Sequence, residues 1–167
     1  MANEFSFDVV SEIDQQELRN ALDQVRRELA QRYDLKNSGS NVEQDGHTIK
    51  LASASEMTLE SVRDLLLERS VRRGLSPKIF DYGKIEEASK GTVRQTVRLR
   101  EGLSQELQKE ITKLVRDRLP KLKSQVQGDA VRITGRSKDD LQAAIHALRA
   151  AEKDRSWPVP LQFKNYR

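Results

Sequence analysis

Residues 123–142 read KSQVQGDAVRITGRSKDDLQ, and this stretch decides the fold. Two short alternating runs flank Gly128-Asp129, and a two-residue loop containing glycine between such runs predicts a β-hairpin. Pairing across the turn sets Val126 against Val131 and Ser124 against Ile133 on one face. Gln125 against Arg132 and Lys123 against Thr134 fall on the other. The first set suits a core. The second carries amides, a hydroxyl and two cations. Ser137, with Asp140 three residues on, then reads as a capping-type helix start.

The same pattern stands earlier in the chain, in residues 41–62, NVEQDGHTIKLASASEMTLESV. A turn at Asp45-Gly46 sets Val42 against Ile49 and Ser40 against Leu51, and places Asn41 and Lys50 where the second hairpin has Gln125 and Arg132. Thr58 takes the part of Ser137. The helices before each hairpin, IDQQELRNALDQVRREL and LSQELQKEITKLVRDRL, open on the cap residues Asp14 and Ser104. A repeat of about 80 to 90 residues exceeds solenoid periods and means two similar domains.

Around these units, Phe5, Phe7 and Val9 alternate with polar residues, as a strand does. So do residues 92–100, with Val93, Val97 and Leu99 on one face and Arg94, Thr96 and Arg98 on the other. Residues 77–82 suit a short edge strand, 83–91 (GKIEEASKG) a linker, and 161–166 a last strand. Each half reads β-α-β-β-α-β. The expected class is α+β: two ferredoxin-like domains, each an antiparallel four-stranded sheet with both helices on one face and the other face open. RNA-recognition motifs use that topology and that face. The domains divide as 11–91 and 101–167. Strand 92–100 joins the first, and strand 1–10 the second, if N-terminal strands are exchanged. Periodicity alone leaves the exchanged and unexchanged forms both open.

Composition narrows the chemistry. The 167 residues contain no Cys, which excludes a disulfide framework and thiolate-ligated zinc, and the two His, His47 and His146, do not make a metal site. No apolar run reaches membrane-spanning length and no secretory leader is evident, so a cytoplasmic protein without membrane contact is the expectation. The net charge of +4 and pI near 9.4 mildly favour polyanionic partners.

The start FSFDVVSEID, the hairpin and helix QVQGDAVRITGRSKDDLQ and the end LQFKNYR together resemble the YajQ family of small bacterial proteins. The resemblance spans essentially the whole chain. It implies two ferredoxin-like domains with exchanged N-terminal strands, and a nucleotide as ligand. Nucleic acid is considered as a ligand for the family too, and some similar proteins are regarded as effectors for cyclic di-GMP.

No catalytic constellation or cofactor motif accompanies these features. Asp139-Asp140 sit in a first helical turn, where carboxylates complement the helix dipole. Gly102, Gly128 and Gly135 form neither a dinucleotide fingerprint nor a phosphate loop. Gly135-Arg136-Ser137 could take a phosphate at a helix start, but ordinary capping accounts for it better. Arg69, Arg72 and Arg73 read as a solvated helix end. The sharper signal is the open faces: the cations Arg132 and Lys123 with the amide of Gln125 on one, the cations Arg94, Arg98 and Lys50 on the other, with Lys164 beside the former. The hairpin strands offer no rings for stacking bases; Tyr82, Trp157 and Tyr166 are the rings expected at the surface. The reading is a non-catalytic nucleotide-binding protein, with a cyclic dinucleotide signalling effector as its specific form. The alternatives are an RNA-binding module for tRNA or ribosome-associated RNA, and an adaptor for protein partners.

Overall fold

The computed structural model describes residues 4–167. Among these, the order is β1 (Phe5–Val10), α1 (Gln15–Gln31), β2 (Asn41–Asp45), β3 (Thr48–Ser53), α2 (Glu56–Arg72), β4 (Phe80–Glu87), β5 (Val93–Leu99), α3 (Gln105–Arg118), β6 (Lys123–Gln127), β7 (Ala130–Gly135), α4 (Lys138–Asp154) and β8 (Gln162–Lys164). Two antiparallel sheets result, β2-β3-β5-β4 and β6-β7-β1-β8. The fold is α+β with two ferredoxin-like βαββαβ units, and the N-terminal strands are exchanged: β1 lies between β7 and β8, β5 between β3 and β4. The chain divides into Ile13–Arg100 and a second unit of Glu101–Arg167 with the N-terminal segment through Glu12.

Each unit has its own core. In Ile13–Arg100 the stripe Leu18, Leu22 and Val25 of α1 and Leu59, Val62 and Leu66 of α2 cover Val42, Ile49, Leu51 and Val97 of the sheet. In the other, Leu107, Ile111 and Val115 of α3 and Leu141, Ala144 and Leu148 of α4 cover Phe7, Val9, Val131 and Ile133. Strand residues of opposite parity face away from the helices, because side chains alternate across a sheet. Residues 1–83 hold 11 basic and 15 acidic side chains and residues 84–167 hold 19 and 11, but this difference disappears in the folded units. Ile13–Arg100 holds 16 basic and 14 acidic side chains, the rest 14 and 12, so each is +2.

Local expectations need four corrections. The second hairpin pairs as read, with Gln125 opposite Arg132. The first does not: Val42 pairs with Leu51, Glu43 with Lys50 and Gln44 with Ile49. Its loop is Gly46-His47, not Asp45-Gly46, because the glycine opens the loop at φ +60°, as Gly128 does in the second hairpin. Ser55, not Thr58, caps α2; Thr58 is the third residue of a reciprocal capping box. Residues 83–87 are not linker but the continuation of β4, whose pairing shifts by a bulge between Tyr82 and Ile85. Trp157 is 3% exposed and belongs to the core.

Candidate nucleotide site

The cations of the open faces, which stand out most in the sequence, meet carboxylates in both units. Arg132 donates from Nε to Asp8 Oδ1 at 2.8 Å and from a terminal nitrogen to Oδ2 at 3.3 Å. Asn165 donates to the same carboxylate at 2.8 Å. Strand exchange creates this clamp, by bringing Asp8 opposite Arg132 in the register of β1 and β7. The Arg132 guanidinium holds the Asp8 carboxyl below its ordinary range, and Asp8 in turn raises the guanidinium. Lys164 lies beside Asp8 and bonds Glu12. Gln125 stays exposed opposite Arg132.

In Ile13–Arg100 two of the three outward cations read from the sequence are similarly matched. Lys50 faces Glu43 across the hairpin and lies 4.0 Å from Asp45. Arg94 contacts Glu86 at 3.2 Å; Arg98 sits opposite Asp81 in the register of β4 and β5, but that carboxylate pairs with Arg100 at 3.3 Å and leaves Arg98 without an ion pair among the described residues. Arg69 is no solvated helix end: 13% exposed, it grips Glu28 through two bonds of 2.5 and 2.6 Å. A polyanion approaching either sheet would have to displace these internal partners.

Lys123 too lacks such a partner among the described residues, and it leads to a different place. The turn from α3 into β6 buries Leu122, so Lys121 and Lys123 flank it on the outside. Gly135 closes β7 directly against Leu122; a Cβ there would fall 2.4 Å from a Leu122 methyl. That contact brings the end of β7 beside the start of β6. The two lysines therefore share a groove of about 340 Å³ with Thr134, Gly135 and Arg136, bounded by the carboxylates of Glu4 and Asp140. Among the described residues, neither lysine nor Arg136 has an ion-pair partner within 4.0 Å. The start of α4 is itself satisfied, since Ser137 accepts the Asp140 N–H at 3.4 Å, which is the capping role expected of it. What the groove offers an anion is thus three side-chain cations and a hydroxyl. Lys123 was legible as a candidate; Lys121 was not, for lack of a partner visible in the sequence, and Arg136 stood out only as part of a helix start.

The duplicated unit serves as an internal control. The hairpin registers and the two caps Ser55 and Ser137 match residue to residue. On that match Gly39, Asn41 and Ala54 stand where Lys121, Lys123 and Arg136 do. One copy carries the cationic groove and the other has none of its charges. A solvated surface common to the fold would not explain that difference.

Comparison with known proteins agrees with the motifs at both ends of the chain. A family model described as nucleotide-binding protein YajQ-like matches residues 5–167. The chain belongs to this family. Similar proteins include one from Prochlorococcus marinus strain NATL2A, 51% identical, one from Chloroflexus aggregans, 53% identical, and one from Nostoc punctiforme, 50% identical. In each, the match covers 100% of both chains, and each is named a nucleotide-binding protein. No helix among the described residues is long and apolar enough to cross a membrane, and no three His, Cys, Asp or Glu among them converge on a metal site.

Proposed function

We propose that this chain binds a nucleotide by its phosphates, without turning it over, in the groove of Lys121, Lys123 and Arg136. The observation that carries this reading is three converging cations without carboxylate partners among the described residues, in one unit and not in its duplicate. The names of the relatives supply the ligand class. A planar guanidinium forks onto two phosphate oxygens, while the lysines add point charges and Thr134 a hydroxyl donor. Phosphate esters and phosphodiesters fit this set equally, so a cyclic dinucleotide of the di-GMP type, and with it an effector role in signalling, is the specific form to test first. RNA is the less favoured ligand: the sheet faces that would carry it have Arg94 and Arg132 against carboxylates and few exposed rings.

The test is a titration of ATP, GTP, cyclic di-GMP and a short RNA at about 50 and 200 mM salt. A nucleotide should bind with a shallow salt dependence, and the double variant Lys121→Ala/Lys123→Ala should weaken it by about tenfold or more. A steep salt dependence with RNA as the tightest ligand would favour the nucleic-acid reading. Affinity indifferent to the double variant would remove the groove as the site.

A further inference from the structure

We infer that the base of the bound nucleotide stacks in a second groove next to the first, against Tyr166 and Phe5. This rests on the phosphate reading above. The second groove, of about 310 Å³, is lined by Phe5, Ser6, Lys138, Leu141, Gln142 and Tyr166, with Arg167 at its rim. The two grooves adjoin along consecutive residues: Glu4 lines one and Phe5 the other, and so do Asp140 and Leu141. Phe5 pairs directly with Gly135 in the register of β1 and β7. A base in one and its phosphates in the other are therefore neighbours. A space of this size lies at the small end of the roughly 300–1,000 Å³ range of small-molecule pockets.

Tyr166 is placed, not loose. Arg167 and Ser6 exchange two main-chain hydrogen bonds of 3.0 and 3.1 Å, so the C-terminus continues the sheet past β8. Asn165 turns the chain at φ +58° and ties its amide to Asp8. Between these anchors the Tyr166 ring leans on Phe7 at 6.0 Å while remaining 59% exposed. A ring held this way loses little freedom on binding, which is what a stacking platform needs. Lys138 Nζ sits 5.2 Å over the Phe5 ring, at the side of α4 that both grooves touch, so a cation stands beside the apolar surface. Gln142 supplies an amide for a base edge.

The duplicate again lacks the arrangement. In its sheet Val93 stands where Phe5 does, and Glu56 and Glu60 stand where Lys138 and Gln142 do. Two glutamates would repel a nucleotide that a lysine and an amide receive. The ring, the lysine over Phe5 and the phosphate cations occur together in the one unit, and a nucleobase joined to phosphate is the ligand class that uses all of them.

The experiment compares the tightest nucleotide of the panel with tripolyphosphate, which has no base. Both are titrated against the wild type, Tyr166→Ala, Tyr166→Phe and the double lysine variant, with melting temperatures recorded. Tyr166→Ala should loosen the nucleotide by about 5- to 150-fold, the range for losing one base–aromatic stack, and leave tripolyphosphate unchanged. Tyr166→Phe should keep the nucleotide affinity, and the double lysine variant should weaken both ligands. Unchanged nucleotide affinity in Tyr166→Ala overturns the base site while the phosphate groove stands. Equal binding of nucleotide and tripolyphosphate by the wild type overturns it as well. If the wild type binds neither, the phosphate reading fails and the base site fails with it.

Discussion

Replacing Asp8 by Asn removes the charge that holds Arg132 while keeping the shape of the side chain. Asp8 is 10% exposed at its side chain and accepts two bonds from Arg132 and one from Asn165; Arg132 is 31% exposed. A hydrogen bond to a charged group contributes about 1.5–3 kcal/mol net, and breaking a fully buried ion pair costs about 3–5 kcal/mol. Water can still reach part of the guanidinium, so Asp8→Asn should cost about 2–3 kcal/mol, and Arg132→Ala a similar amount. The double variant should cost about 3 kcal/mol, leaving a coupling of about 2 kcal/mol between the partners. The assay is urea unfolding followed by fluorescence of Trp157, the one tryptophan, which is buried in the core of the same unit. The pH dependence has a definite sign. Asp8 is depressed in the folded protein, so its stabilisation is complete above the ordinary Asp value of 3.8 and is lost as pH falls through the lower folded value. The gap between wild type and Asp8→Asn should therefore close in acid. A cycle in which the single costs simply add, with coupling under about 0.5 kcal/mol, would refute an energetic role for the clamp.

Arg69→Ala should destabilise the other unit by about 2–4 kcal/mol, since it strands a half-buried Glu28; circular dichroism during urea unfolding reads this out. Gly83→Ala should cost about 1–3 kcal/mol, because the added Cβ would lie 2.8 Å from the Thr96 carbonyl oxygen across the β4 bulge, a main-chain atom that cannot step aside. Purified protein should release phosphate from ATP or GTP no faster than background; sustained turnover that a single substitution abolishes would make it an enzyme instead.

How far the sequence could be read depended on whether the deciding contact was local. The pairing of the second hairpin was legible to the residue, because Gly128-Asp129 fixes the loop and Val131 and Ile133 go to the core; Val126, read with them, is instead 50% exposed. The first hairpin differs by which residue opens its loop, a matter of one backbone dihedral at Gly46, and reading Asp45 into the loop put Asn41 instead of Glu43 against Lys50. The charged run 83–87 looked like linker because an edge strand with a bulge needs no apolar alternation on its outer side. The grooves were beyond reach for another reason. Lys121 and Arg136 are joined through the close fit of Gly135 on Leu122, and Phe5 and Tyr166 come to line one groove through the pairing of Ser6 with Arg167. Neither contact leaves a spacing that periodicity can detect.

Strand exchange also decides where the cations of the two sheets find partners. In the matched registers Lys50 and Arg132 occupy equivalent places, and so do Thr96 and Asp8 opposite them. If β1 stayed with the helix that follows it, Asp8 would face Lys50 and Thr96 would face Arg132. The exchange instead gives the carboxylate to the arginine, whose fork donates to both oxygens, and leaves Lys50 with a hydroxyl on its β5 side and Glu43 on its β2 side. Arg132 thereby becomes a fastener for β1, which is the strand that carries Phe5 and Ser6 to the second groove and pairs with Arg167 beside Tyr166. The cation that stood out most in the sequence supports the candidate site indirectly, by holding β1, and the residues free to meet a ligand are those at the strand ends, where among the described residues no carboxylate is paired with the lysines.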